Sequence, residues 1–521
     1  MYGHALSANV YGIDGKIIHI ETDISPGLPQ VHLVGLPDAA VRESVDRVRS
    51  AIRNCGFVFP LERVTINLAP ADLRKEGASF DLAVALCLLM TSAQVSSRPF
   101  QEMLIVGELA LDGSTRPVPG ILSMVDEAKK QGITHVLVPA GNAEEASLIE
   151  GITVYSIQSL AELKPCATEE AAAALLPSLV YVDAMRTFDH SPPYADSFED
   201  YSDVKGQSHA KRAMTIAAAG MHNILLSGPP GTGKTMLIRR LPTILPPLTE
   251  EEALEVSKIY SVSGKWERSS NGLLRIRPFR SPHHSISQAG LIGGGSIPKP
   301  GEVSLAHRGV LFLDELPEFP RQALELLRQP LEDRYVTIGR AKAVYQFPAH
   351  LMLAGSMNPC PCGFDGSSHQ VCRCTPARLA RYRSRLSGPL LDRIDLQLEV
   401  PRAAVQEWEG HTVSSADMRS AVLRAHSIQS QRYKALPVRF NSELTGAWLR
   451  QFCPLTAEAN KLLSKVYDQL GLSFRAHDRL LKLARTIADV EQEQVIDIPH
   501  LAEAIRYRSL DRTMHAATPF T

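Results

Sequence analysis

No charge of one sign dominates this 521-residue chain: 55 Lys and Arg stand against 56 Asp and Glu, a formal charge of -1. Any nucleic-acid contact must therefore come from a local basic patch rather than from the chain as a whole. Long apolar runs are also missing. The longest, Leu82 to Met90 between Asp81 and Thr91, is far short of the roughly 20 residues that cross a bilayer, so no membrane partner is expected. The start, MYGHALSANVYGIDGK, lacks the basic region, apolar stretch and small-residue cleavage site of a secretion signal. The eight cysteines do not form a disulfide framework, because Cys55, Cys87, Cys166 and Cys453 are isolated while the other four crowd between 360 and 374. A reducing, cytoplasmic setting fits. What remains is 44% apolar and 21% charged residues with Gly and Pro scattered, a composition that excludes wholesale disorder. The length suits roughly three domains of about 150 residues each.

Short β-like runs alternate with helical stretches up to about residue 163: VHLVGL (31–36), VTINLA (64–69), MLIVGEL (103–109) and HVLVPA (135–140). This reads as a compact α/β domain over 1–165. A composition shift toward Ala, then Pro, Asp and Ser, predicts a linker over 166–200. From 201 to 405 the order is helix, apolar strand NILLS, Gly-rich turn, helix and, later, strand GVLFLDE (309–315). That βαβ rhythm predicts a nucleotide-binding α/β domain with a parallel sheet. Over 406–521 the pattern turns to apolar residues at three- and four-residue spacing, an all-helical lid.

Gly228-Pro229-Pro230-Gly231-Thr232-Gly233-Lys234-Thr235 matches G-x-x-x-x-G-K-[ST] between a strand and a helix. In that context backbone N–H groups approach phosphate oxygens, Lys234 reaches the β- and γ-phosphates of ATP, and Thr235 holds Mg²⁺. About 80 residues on, the apolar strand Val310–Leu313 runs into Asp314 and Glu315. Asp314 is placed to order the metal's water and Glu315 to polarise the water that attacks the γ-phosphate. A third strand ends in Asn358, whose amide can donate and accept and so hold a lytic water; a turn-forming Asn before Pro359 is the other reading. Cys360, Cys362, Cys372 and Cys374 give C-x-C-x₉-C-x-C, four thiolates able to close on structural Zn²⁺; the spacing is not the familiar paired C-x-x-C, and four reduced thiols without metal are the alternative.

Taken together, GPPGTGKT, GVLFLDELPEF, MNPCPCG and SGPLLDRIDL resemble the magnesium-chelatase-like AAA+ ATPases, and within them the ComM/YifB family. The resemblance spans essentially the whole chain. It implies a homo-oligomer, a hexameric ring with ATP between subunits, in which Arg393 of LLDRID reaches the neighbour's γ-phosphate. Without the family, Arg393 would read as a surface ion pair with Asp392 or Asp395. Arg475, in Ser473-Phe-Arg-Ala, matches the family's second sensor acting in cis, with Arg479 one turn on as the fallback. Two insertions, mapping to about 279–306 and 333–348, are expected to point into the ring's pore. The first holds Arg280, His283, His284 and Lys299, the two histidines expected to point apart. The second is a hairpin with Arg340 and Lys342 near its tip as DNA contacts and Tyr335, Tyr345 and Phe347 available for base stacking; an ordinary solvated tip is the plainer reading. Six arginines from 373 to 393 are expected to meet a neighbour's nucleotide or DNA.

The first domain resembles the Lon-type proteolytic domain, with Glu76-Gly-Ala-Ser79-Phe-Asp81 on the nucleophile motif. The lysine such a serine needs is absent where expected, since Leu122 and Met124 flank that position. Ser79 is thus expected to be a helix cap or a core hydroxyl. The function the resemblance implies is an ATP-driven helicase that moves branched DNA junctions during recombination and uptake of transforming DNA. A protein-remodelling ATPase and, further off, an ATP-dependent protease are the alternatives.

Overall fold

In the computed structural model residues 1–182, 199–266, 272–295, 298–340, 343–366, 370–402, 412–470 and 473–508 are described. The chain divides into two compact units: Met1–His190 with Ala253–Leu274, and Ser191–Glu252 with Arg275–Thr521.

The first unit is built on a seven-stranded mixed sheet. The hairpin Tyr2–Tyr11 and Asp14–Ser25 is antiparallel, and Arg63–Ala69 extends it on the second strand's free side. On the other side Met103–Ile105, His135–Pro139 and Thr153–Ile157 are mutually parallel. The helix Asp81–Thr91 buries all eleven of its residues, which explains why its sequence is apolar on every side rather than striped. Its lone charge, Asp81, is met by Arg47 at 2.9 and 3.1 Å. Burial pushes the Asp81 carboxyl up to about 6 against the opposing pull of that guanidinium. The start of the segment read as linker is helical, Glu169–Leu179, and buries Ala172 and Leu179. Residues 253–263, from the helix Glu250–Ser263, also belong to this unit. There Lys258 pairs with Asp126 of the helix Ile121–Lys130.

The second unit carries a five-stranded sheet, all parallel, in the order Phe279–Arg280, Val310–Leu313, Met352–Met357, Ile224–Ser227, Leu396–Glu399. The three central strands are buried on both faces, as a parallel sheet between helices requires. The strand preceding the Gly-rich turn lies between strands that come later in the chain, so a crevice opens at the strands' C-terminal ends. The helices Ser415–Arg432, Gly446–Phe452, Ala457–Leu470, Phe474–Val490 and Ile498–Arg506 complete the unit. Phe474–Val490 buries Leu480, Leu483, Ala484, Ile487 and Ala488 along one stripe, and these join one core with Ile224, Phe312 and Leu396 of the sheet. No helix among the described residues is long and apolar enough to cross a membrane.

Candidate nucleotide site

Strand register assembles the site. Ser227 pairs with Met357 and Leu313 with Gly355, so one residue further on Gly228 lies beside Asn358 and Asp314 beside Ser356. Gly233 has φ 89°, a conformation that admits glycine far more readily than other residues, and it opens the helix Lys234–Arg239. Lys234 folds back over the turn: its Nζ donates to the carbonyls of Gly228 and Pro229, each at 2.8 Å, and to Oδ1 of Asn358 at 3.4 Å. Burial lowers the Lys234 ammonium below its ordinary value against the opposing pull of the Asp314 and Glu315 charges. Thr235 Oγ1 donates to Asp314 Oδ2 at 3.1 Å. The hydroxyl of Ser356 hydrogen-bonds the other Asp314 oxygen. A hydroxyl, a strand-end carboxylate, a buried ammonium and an amide are thus brought to one crevice, the donor set that suits a metal-bound triphosphate.

Glu315 follows directly, with φ 52°. Left-handed backbone costs about 1–2 kcal/mol for a residue with a side chain. Its N–H donates to Asp314 Oδ1 at 3.1 Å, and its side chain is exposed. Ser356 was not among the expected site residues. Its signal was present, two positions before Asn358 on a strand neighbouring the one that ends in Asp314.

The arginines are placed differently from the ion pair that plain reading suggested. Arg393 is buried, 6% exposed, and is held by the carbonyls of Arg328 at 3.0 Å and Pro389 at 2.7 Å and by the Glu332 carboxylate. Arg475 is exposed and reaches the same Glu332 at 3.0 Å. Arg479 is engaged elsewhere, on Asp395 at 3.1 Å. Asp395 is buried, and the charges of Arg479 and His222 hold its carboxyl well below the usual range despite the burial.

Of the two insertions, the second is the expected hairpin, Tyr335–Arg340 with Ala343–Pro348. Arg340 is exposed and donates to the Gly295 carbonyl; Lys342 lies outside the described residues. Tyr345 and Phe347 are buried, 8% and 0% exposed, because alternate hairpin positions face the core. They are not available to stack bases; Tyr335, at 37%, is. In the first insertion Arg280 is paired with Glu302 through two bonds of 2.6 and 2.8 Å. The rings of His283 and His284 do not point apart but lie 4.0 Å from each other. Among the six later arginines, Arg383 pairs with Asp365 and Arg385 with Glu318, whereas Arg373, Arg378 and Arg381 are exposed.

The four clustered cysteines converge, all Sγ atoms within 4.8 Å of one another. The Sγ separations of Cys360, Cys362 and Cys372 are 3.2, 3.7 and 3.6 Å. A tetrahedron with Zn–S bonds of about 2.3 Å has edges of about 3.8 Å, so the group fits one metal ion. The N–H groups of Phe364 and Arg373 hold the Cys362 thiol down to about 6.

In the first unit Ser79 is a core hydroxyl, not a cap. It is 7% exposed and its Oγ has no hydrogen-bond partner, and the helix begins without a side-chain cap. Lys75 is wholly buried with Nζ on the carbonyls of Leu73, at 2.8 Å, and Pro70. Among the described residues no base is hydrogen-bonded to Ser79.

Comparison with known proteins agrees with this architecture. The model "Magnesium chelatase, subunit ChlI" matches residues 200–408, "Subunit ChlI of Mg-chelatase" matches 20–142, and "Magnesium chelatase, subunit ChlI C-terminal" matches 412–508. Fold and site define a magnesium-chelatase-like AAA+ protein, a class that implies ATP and Mg²⁺. The protein YifB of Escherichia coli (strain K12) is 45% identical over 506 residues, and the competence protein ComM of Haemophilus influenzae is 43% identical over 506; each alignment covers 96% of both chains. The chain belongs to the ComM/YifB family. A Lon protease of Salinispora arenicola is 25% identical over 174 residues, 31% of this chain and 22% of that one, a weak and partial likeness.

Proposed function

We propose that this protein is a cytoplasmic ATP-dependent DNA motor that assembles as a homo-oligomeric ring, a hexamer, and drives branch migration of DNA junctions during recombination and natural transformation. The observation that carries the reading is the single crevice holding Lys234, Thr235, Asp314 and Asn358. Lys234 binds the β- and γ-phosphates, exchanging the carbonyls of Gly228 and Pro229 for phosphate oxygens. Thr235 and Asp314 hold Mg²⁺, and the bound ion supplies charge neutralisation at the phosphates. Glu315 polarises the attacking water and Asn358 holds it in line, while Ser356 keeps the Asp314 carboxylate oriented. Arg393 comes from the neighbouring subunit and Arg475 from the same one; both must leave Glu332 to reach phosphate. Arg340 and Lys342 follow the DNA backbone, and a structural Zn²⁺ occupies the four cysteines.

A remodelling ATPase working on a partner protein is the second reading, favoured by the family models that span both units and the lid. Phosphate release with no DNA, single strands, duplex and a four-way junction separates the two. Under the motor reading the junction raises turnover, labelled strands are displaced, and Arg340→Glu lowers the ratio of turnover with DNA to turnover without it. Turnover indifferent to every DNA would overturn the motor reading in favour of the remodeller.

A further inference from the structure

The cysteine knuckle touches the nucleotide loop. Gly363 has φ 86°, and a Cβ added there would lie 2.7 Å from Cδ of Pro230. The turn Cys360–Gly363, closed by the Gly363 N–H donating to the Cys360 carbonyl at 2.9 Å, therefore abuts the middle of the Gly228–Thr235 loop. Its other end is continuous with the phosphate side of the crevice, since Cys360 follows Asn358 by two residues and Asn358 meets Lys234. Beyond the cluster, Thr375 caps the helix Pro376–Arg383, and Arg383 returns to Asp365 at 2.7 Å.

Little apolar burial holds this segment. Val371 is 83% exposed, and Cys362, Cys372 and Cys374 are only half-buried. Four soft donors in tetrahedral reach select Zn²⁺, and a 4.8 Å span leaves room for one ion rather than a cluster.

We propose that Zn²⁺ at Cys360, Cys362, Cys372 and Cys374 is a clamp on the nucleotide loop, its occupancy fixing Pro230 and Asn358 and so setting the affinity for ATP. This rests on the zinc reading above and deepens it from a local staple to control of the phosphate site.

The test uses the full chain. Metal analysis is expected to find one zinc per chain. Stripping it with a chelator and a mercurial, followed by thiol, lowers affinity for a fluorescent ATP analogue at least tenfold, and Zn²⁺ alone restores it. Cys372→Ser loses both metal and affinity. Gly363→Ala keeps one zinc per chain but binds the analogue at least tenfold more weakly, because the added carbon displaces Pro230. Unchanged affinity in the metal-free protein, or in zinc-loaded Gly363→Ala, overturns the clamp while leaving a structural zinc. Absence of bound metal, together with no uptake of added Zn²⁺, overturns the clamp and the zinc reading together. Neither outcome touches the motor reading, which is decided by the DNA dependence of turnover.

Discussion

Arg393 and Arg475 end on one carboxylate, that of Glu332. The two residues stand 82 positions apart, one in the turn before a sheet strand and the other in the first turn of the lid helix Phe474–Val490. Within one chain, both guanidiniums proposed for the triphosphate are therefore engaged before any neighbour or nucleotide arrives.

If Arg393 works on a neighbour's phosphate, Arg393→Ala and Glu315→Gln each leave only a small residual turnover alone but complement each other when mixed. Intact cis and trans groups then meet at about a quarter of the interfaces of a randomly mixed head-to-tail ring. Phosphate release from a one-to-one mixture is expected near that fraction of wild type. A mixture as dead as its parts would remove Arg393 from the shared site.

Lys234→Ala and Glu315→Gln should fail at different steps. On the proposed reading the first removes the cation that would hold phosphate, and binding of a fluorescent ATP analogue is abolished. The second leaves binding in place and slows phosphate release by roughly 100-fold, the scale of a lost general base.

His426 predicts an acid sensitivity of the second unit. Its ring stacks on Phe440 at 5.0 Å, and burial, reinforced by Arg277 and Arg439 against Glu252, lowers its pKa to about 4. Between that value and the ordinary 6.5 the unfolded chain takes a proton that the folded one refuses. The stability is complete above pH 6.5 and is lost as pH falls through the window, by about 2 kcal/mol at pH 5. Thermal melts at pH 7 and pH 5 should show a larger drop in wild type than in His426→Phe.

Asp489 is the anchor of the lid. Its buried carboxylate accepts from Arg432 at 2.8 and 2.6 Å, from Arg485 at 3.1 Å and from Asn441 at 2.8 Å. Asp489→Ala leaves two guanidiniums without their charge partner and should destabilise the unit by roughly 3–5 kcal/mol, measured by urea unfolding. A change within 0.5 kcal/mol, about that of a surface substitution, would contradict this account.

Local conformation and ligand spacing were legible from the chain alone. A Gly-rich turn between an apolar strand and a helix, an apolar strand ending in two acids, and four cysteines in a short loop each carry their meaning in neighbouring residues, because strand polarity, turn conformation and ligand spacing are short-range properties. Side-chain partners across the fold were not legible. That Glu332 collects two arginines, that Arg280 is neutralised by Glu302, that Tyr345 and Phe347 face inward, and that Gly363 rests on Pro230 all depend on register and packing between segments distant in sequence. Such contacts form only when segments distant in sequence pack together, and no periodicity along the chain encodes which acid a given arginine will meet.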